Sequence, residues 1–149
     1  MRIGARARRS RLVTSRDIEF FTVISGDRNP LHYDEGLAAA SRFGGIVVQG
    51  GVTSALLNAV VAEDLPGPGS VFLHVDWRFR APVRPGDVIT AEVVVTSVRE
   101  DKPVTTLTTK VLAQDGAVVL DVTAVVWRDP STAAATAAAS IPVSPEEDR

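Results

Sequence analysis

The chain of 149 residues has no cysteine, two histidines, one methionine and only 5% aromatic residues. The absence of cysteine excludes disulfides, a thiolate nucleophile and cysteine-based metal sites. With His32 and His74 alone, a zinc site would depend mainly on carboxylates, which is uncommon. No stretch approaches the run of about 20 apolar residues that a membrane-spanning helix requires. The net charge of −2 gives no basic footprint for nucleic acid. We therefore expect no metal, membrane or nucleic-acid partner.

A chain of this length forms one domain with a sizeable core. Residues 1–11 carry five arginines and lack the apolar region of a secretory signal. We predict them to be a basic flexible lead-in, with a short transit peptide or a misassigned start as alternatives. Residues 129–149 are mostly Ala, Ser, Thr, Pro and Glu, which predicts a flexible tail. The predicted domain therefore spans residues 12–128, and its expected location is the cytoplasm.

Three helices are predicted before residue 65. Thr14 and Asp17 form a capping pair for a helix that ends near Gly26. Asp34 caps a short second helix. The third helix, over residues 52–64, is apolar nearly all round, so it is expected to be buried on most sides. The first helix is expected to bury a dense apolar side formed by Ile18, Phe20, Phe21 and Ile24.

The second half of the sequence predicts strands. In residues 71–79 the odd positions are apolar, which is the period-two alternation of a strand with one buried face. Three further strands are separated by short turns, which favours an antiparallel meander. One apolar helix and one long sheet can cover each other if the sheet wraps around the helix. This is an α+β hot-dog fold with an N-terminal helical and loop overhang. Its outer edge favours a homodimer. The further strands are residues 88–98, 104–113 and 117–127.

The segment 25–32 has the composition of a shaped loop that can hold reactive groups. Pro30 fixes its own φ and disfavours a helical conformation at Asn29. A loop that brings Asp27 and His32 together is suited to proton transfer. The alternative is an Asx-turn, in which the acidic or amide side chain bonds its own backbone and the imidazole only packs beside it.

Several segments together resemble the MaoC-like (R)-specific enoyl-CoA hydratase family, over roughly residues 12–127. The resemblance implies reversible addition of water to a trans-2-enoyl-CoA, giving the (R)-3-hydroxyacyl-CoA, so the chain is expected to be a lyase. No metal or redox cofactor is implied, and coenzyme A enters as part of the substrate. The similar segments are Gly-Asp-Arg-Asn-Pro-Leu-His-Tyr-Asp at 26–34, Ile-Val-Val-Gln-Gly-Gly at 46–51, and residues 65–70, 79–87 and 98–103.

The resemblance also implies roles for individual residues. Asp27 matches the carboxylate that takes the proton of water, and His32 matches the imidazole that supplies a proton to C2. The reverse division of labour is the alternative. Asn29 matches a residue that orients the carboxylate by a hydrogen bond. The resemblance further implies that a backbone N–H at this point faces the thioester oxygen, and Gly50 is the best match, with Gly51 adjacent. Close packing of a strand against the helix is the alternative explanation of the two glycines.

The sequence departs from the family pattern at two positions. Gln49 stands where many relatives have a histidine, and its amide can still donate and accept. Asn58 stands where some hydratases have a serine. We expect Asn58 to face the site and bond Asp27, and a buried Asn bonding a neighbouring loop is the alternative. Gln49, Gly51 and Asn58 are the expected substrate-binding residues.

The sequence also allows other interpretations of the function. A (3R)-hydroxyacyl-carrier-protein dehydratase has the same chemistry on a protein-borne thioester. Thioester hydrolysis and a non-catalytic acyl-CoA-binding protein are further alternatives. Arg78, Arg80 and Arg84 either meet coenzyme A phosphates or form a solvated sheet face.

Overall fold

The computed structural model describes residues 1–135, in which a five-stranded antiparallel sheet packs against one apolar helix. The predicted α+β arrangement is confirmed. No helix in the described part of the chain combines the length and apolarity needed to cross a bilayer. The elements are β1 Arg6–Leu12, α1 Ser15–Ser25, a 3₁₀ turn Pro30–His32, α2 Glu35–Ala40, α3 Gly50–Ala59 continued by a π turn Val60–Asp64, β2 Ser70–Phe79, β3 Val88–Val98, β4 Val104–Leu112, β5 Val118–Arg128 and α4 Pro130–Ala135.

The sheet has the strand order β1-β3-β4-β5-β2. The predicted meander is present as β3, β4 and β5, each antiparallel to the next. β2 pairs with β5 rather than with its sequence neighbour β3, so β2 lies at an edge of the sheet. The apolar side chains of α3 and its π turn are buried together with those of β3, β4 and β5. The segment just before α3 lies beside the 3₁₀ turn, because the Val47 N–H donates to the carbonyl of Leu31 at 3.3 Å.

The N-terminal boundary of the predicted domain was wrong. Residues 6–12 form β1, which pairs with β3 along its whole length. Charged side chains are common on edge strands because they discourage pairing with another sheet. Ala5 and Ala7 pack against the core while the arginine at position 8 is exposed. The arginines of this segment, which suggested a flexible lead-in, are therefore those of an edge strand.

Arg9 joins β1 to the end of the π turn. Its guanidinium donates to both carboxylate oxygens of Asp64, at 2.6 and 2.8 Å, and to Glu63 at 2.8 Å. These hydrogen bonds, first to Asp64 and then to Glu63, raise the pKa of Arg9 above its ordinary value. Two carboxylates at a helix C-terminus are unfavourable on their own. Arg9 neutralises part of that charge.

The predicted tail also begins differently. Pro130–Ala135 form α4 directly after β5. Asp129 accepts hydrogen bonds from the Ser131 hydroxyl at 2.7 Å and the Ser131 backbone N–H at 2.9 Å, which lowers the pKa of Asp129. Residues 136–149, the rest of the predicted tail, lie outside the described residues.

The alternation predicted for β2 holds only in its second half. The register with β5 shifts at Leu73, which lies between two paired positions. Such a bulge exchanges the two faces of a strand. Val71 and Leu73 are consequently exposed, whereas Phe72 and Val75 pack against the core. Trp77 lies on the same face as Val75 and borders α3.

Helix α1 has the predicted ends but not the predicted burial. The capping box of Thr14 and Asp17 is present, and the helix ends at Gly26 with φ of 75°. Ile18 is buried as expected. Phe20 and Ile24 are 55% and 80% exposed, so the expected burial of these two side chains was wrong for the single chain.

Candidate active site

The loop after α1 is held by side chains that bond the neighbouring backbone. The N–H of Asn29 donates to Asp27 Oδ1 at 3.0 Å, and the N–H of Leu31 donates to Asn29 Oδ1 at 3.1 Å. These are two successive Asx-turns. The Asx-turn alternative is therefore correct about the backbone. It does not exclude the catalytic interpretation, because Oδ2 of Asp27 is left to face His32.

Asn29 holds the Asp27 carboxylate, but through its backbone. The hydrogen bond to Oδ1 comes from the Asn29 N–H, while its side-chain oxygen caps the 3₁₀ turn that carries His32. A substitution of Asn29 would thus act on both groups through the shape of the loop.

His32 faces Asp27 with one ring nitrogen and the backbone with the other. Nδ1 lies 2.6 Å from the carbonyl oxygen of Val47, which can only accept, so Nδ1 carries a hydrogen. Nε2 lies 3.5 Å from Asp27 Oδ2. The imidazole is 10% exposed and the carboxylate 37%. The carbonyl of Val47 therefore fixes both the ring orientation and the tautomer of neutral His32.

The gap between the two side chains suits a shared water. A separation of 3.5 Å is long for a direct hydrogen bond. One water in this gap can donate a hydrogen to Oδ2 of the carboxylate. The same water can bond Nε2, as donor to the neutral ring or as acceptor from the imidazolium. The sequence prediction that this pair meets is confirmed by the geometry.

His32 lines a cleft of about 530 Å³. The cleft walls are mainly apolar, and Arg42 and Arg80 are the exposed charged side chains along them. Gly50 also lies on the cleft as the first residue of α3. The first N–H groups of a helix have no partner inside the helix and carry partial positive charge. The cleft thus joins an imidazole to an available backbone donor.

Both predicted glycines are covered by aromatic rings. A Cβ on Gly50 would lie 2.9 Å from the ring of Phe79. A Cβ on Gly51 would lie 2.0 Å from the ring of Phe21. Close packing therefore applies to both positions. Gly50 combines it with a place on the cleft, whereas Gly51 is partly buried under helix α1.

Comparison with known proteins identifies the family. Residues 3–117 match the family model described as MaoC like domain. The (R)-specific enoyl-CoA hydratase of Aeromonas caviae is 40% identical over 126 residues, which cover 85% of this chain and 94% of that protein. The chain belongs to the MaoC-like family. The sequence resemblance is thereby confirmed.

The solved structures agree with this assignment. A structure described as the (R)-hydratase from A. caviae involved in PHA biosynthesis superposes with a TM-score of 0.83 at 39% identity, covering 87% of this chain and 98% of that one. This superposition shows the hot-dog fold of this MaoC-like chain.

A further relative was found by its sequence. A mitochondrial 3-hydroxyacyl-[acyl-carrier-protein] dehydratase of Solanum lycopersicum is 30% identical over 123 residues, 81% of this chain and 73% of that protein.

Gln49 does not line the cleft of this MaoC-like chain. Its side chain is 2% exposed and points to helix α1. Nε2 donates to the carbonyl of Ile18 at 3.2 Å and to the hydroxyl of Thr22 at 3.1 Å. The position of Gln49 therefore does not support the expected contact between its amide and the substrate.

The expected contact between Asn58 and Asp27 was wrong. Within the described residues, the hydrogen bonds of Asp27 involve α1 and its own loop, and none comes from Asn58. Asn58 is exposed and borders a small pocket beside Trp77. Eight residues beyond Gly50, it lies about 12 Å farther along the helix axis. The alternative of a buried Asn was also wrong.

The arginines of the 78–84 segment have different surroundings. Arg84 donates to the backbone carbonyls of Phe43 and Ile46, so it supports the loop below the cleft. Arg78 pairs with Asp76 on the exposed strand. Arg80 lines the cleft and also pairs with Asp121 at 3.4 Å. The sequence did not single out Thr22 and Tyr33, whose hydroxyls bond each other next to the Asp27 loop.

Proposed function

We propose that this chain catalyses the reversible hydration of a trans-2-enoyl-CoA to the (R)-3-hydroxyacyl-CoA. The observation that carries the proposal is the approach of His32 Nε2 to Asp27 Oδ2 within 3.5 Å, beside a cleft that also holds Gly50. The 40% identity to a hydratase of that name supports the same chemistry.

In the hydration direction, the proposed acceptor of the water proton is Asp27. Oδ1 is occupied by the Asn29 N–H, so Oδ2 takes the proton as the water oxygen bonds to C3. The electron pair of the C2–C3 double bond moves onto the thioester carbonyl. The N–H of Gly50 stabilises the resulting oxyanion. Removal of such a donor typically costs about 10²–10³-fold in rate.

His32 then delivers the proton to C2. This role requires the imidazolium, in which Nδ1–H stays on the Val47 carbonyl and Nε2–H faces the substrate. After the step, Asp27 carries the proton and His32 is neutral. Return of the proton across the 3.5 Å gap restores the starting state. The reverse division, with His32 as base and protonated Asp27 as acid, uses the same two atoms.

The substrate is proposed to be a coenzyme A thioester. Arg42 and Arg80 line the cleft and are suited to phosphate groups. The tomato relative named for a carrier-protein substrate keeps a protein-borne thioester as the second candidate. No metal or redox cofactor takes part in the proposed reaction, so activity is expected to survive dialysis against EDTA.

The functional unit is proposed to be a homodimer formed through the free edge of β2. Within residues 1–135 that edge has no partner strand, and its exposed apolar side chains include Leu73 and Trp77. An exposed apolar edge strand favours pairing with a second sheet. A second copy of this chain is the simplest partner, because two-fold pairing is self-complementary.

One assay separates the candidate reactions. Addition of the protein to crotonyl-CoA is expected to lower the absorbance of the enoyl thioester without releasing free thiol. Thiol release would indicate hydrolysis instead. Binding with neither signal would indicate a non-catalytic acyl-CoA-binding protein. Faster turnover of a crotonyl carrier protein would favour the second substrate candidate.

A further inference from the structure

We propose that Thr22 and Gln49 are positioning residues that connect the start of α3 to the backbone of Asp27. This inference rests on the proposed catalytic role of Asp27. Neither side chain lines the cleft, and both are more than nine-tenths buried. They act through Asp27 and Gly50 rather than on the substrate.

The hydrogen bonds form a continuous path between the two parts of the site. Gln49 directly precedes Gly50, and its Nε2 donates to the Thr22 hydroxyl at 3.1 Å. The Thr22 hydroxyl donates to the carbonyl oxygen of Asp27 at 2.8 Å. The hydroxyl of Tyr33, one residue after His32, also bonds Thr22. The path therefore reaches residues next to each group proposed to react.

The direction of each bond follows from the available hydrogens. The carbonyl of Asp27 can only accept, so it takes the single hydrogen of the Thr22 hydroxyl. Thr22 must then accept from both Gln49 and Tyr33, which fills its two lone pairs. The carbonyl of Ile18 requires Nε2 of Gln49 as its donor, and this sets the orientation of the amide. All the hydrogen-bonding capacity of Thr22 is used.

These bonds restrain the peptide groups on both sides of Asp27. Its N–H donates to Ser25 Oγ at 3.1 Å, and its carbonyl accepts from Thr22. With the backbone of Asp27 held in this way, the carboxylate can move only by rotation about its side-chain torsions. A displacement of about 1 Å in a reacting group can cost about 10²-fold in rate. Loss of the Thr22 hydroxyl is therefore expected to lower turnover without altering the cleft.

The main experiment compares Thr22→Val, Thr22→Ser and Thr90→Val in crotonyl-CoA hydration. Thr90 is a buried threonine whose hydroxyl bonds Ser10 at 2.8 Å, away from the cleft, so its variant controls for a lost hydroxyl. We expect Thr22→Val to lower kcat by about 10- to 100-fold with KM within about twofold. Thr22→Ser should restore kcat to within about threefold, because serine retains the donor. Thr90→Val should keep the wild-type kcat.

Two further variants allow the same test if the Thr22→Val protein does not fold. Tyr33→Phe removes one donor from an exposed side chain, and Gln49→Met keeps the length of the buried one. We expect kcat to fall at least about threefold in each, as one hydrogen bond would cause. The losses of Gln49→Met and Thr22→Val should be less than additive, since both act through one hydroxyl.

The outcomes are distinguishable from failure of the proposed function. If the wild-type protein leaves the enoyl absorbance of crotonyl-CoA unchanged, the proposed function fails. If the wild type is active and Asp27→Asn keeps the same rate, the catalytic role of Asp27 fails, and this inference fails with it. If Asp27→Asn is inactive but Thr22→Val and Tyr33→Phe keep the wild-type kcat, the positioning role alone is overturned. Failure of Thr22→Ser to restore kcat lost in Thr22→Val would also overturn it.

Discussion

Nε2 of His32 lies 3.5 Å from Oδ2 of Asp27, while Nδ1 of the same ring is held by the carbonyl of Val47. Because Nδ1 is bonded to the backbone, the ring cannot turn to present Nδ1 to Asp27 without losing a partly buried hydrogen bond. The carboxylate is held more weakly, because its Oδ1 accepts a solvent-exposed hydrogen bond from the Asn29 N–H. One atom of each group thus remains for chemistry.

Substitution of either group is expected to lower hydration sharply. Asp27→Asn removes the proton acceptor, and His32→Ala removes the donor to C2. Each should lower kcat with crotonyl-CoA by at least about 10²-fold. Circular dichroism and the thermal midpoint should show a folded protein. Wild-type rates in either variant would reject the assigned roles.

The two glycines at the start of α3 are expected to differ in their effect on stability. In Gly51→Ala the new methyl overlaps the partly buried ring of Phe21, so the free energy of unfolding should fall by about 1–3 kcal/mol. In Gly50→Ala the exposed ring of Phe79 can move away, so the loss should be smaller. Chemical denaturation of both variants measures the difference. An equal or reversed order would contradict this packing.

Asn58→Ala is expected to behave like a surface substitution. Asn58 is exposed, borders a separate pocket and does not bond Asp27. The free energy of unfolding should change by less than about 0.5 kcal/mol. The crotonyl-CoA rate should stay within about twofold, as expected for a group outside the acid–base pair. Steady-state kinetics and urea unfolding measure the two quantities. A loss of about 10²-fold in the crotonyl-CoA rate would show that Asn58 takes part in the reaction after all.

Deletion of residues 1–11 is expected to destabilise the domain. It removes most of β1, its backbone ladder with β3 and the Arg9 pair with Asp64. The uncovered edge of β3 is also expected to promote aggregation. Urea unfolding and light scattering measure the two effects. As a control, Arg9→Met removes only an exposed ion pair and should cost no more than about 1 kcal/mol. A deletion variant as stable and soluble as the full chain would show that β1 contributes nothing.

The proposed dimer predicts a specific sensitivity of the β2 edge. Leu73→Lys places a charge on an exposed apolar edge position and should shift the protein toward monomer. Leu37→Lys makes the same change at an exposed leucine of α2 and should leave the dimer intact. Sedimentation velocity reports the mass of each. A monomeric wild type, or a dimeric Leu73→Lys, would contradict pairing through this edge.

Local sequence signals predicted most of the fold. The bounds of β3 agree with the prediction, and those of β4 and β5 differ by one residue, because their alternating β-branched residues and short turns are local features. The caps of α1 and α2 were likewise evident. β1 was missed because an edge strand tolerates arginine, and its partner β3 lies some 80 positions away in the sequence.

The sequence alone determined which residue types are available for chemistry. The Asp-Arg-Asn-Pro-Leu-His segment already contains the carboxylate, the imidazole and the turn that brings them together, because a short loop depends mainly on its own residues. Only the tertiary structure decided the surroundings of these groups. The Val47 carbonyl beside His32, the direction of Gln49 into α1 and the distance of Asn58 from Asp27 depend on how separate elements pack. The packing of separate elements sets the direction of a side chain between them, and the spacing of residues in the sequence does not determine that packing.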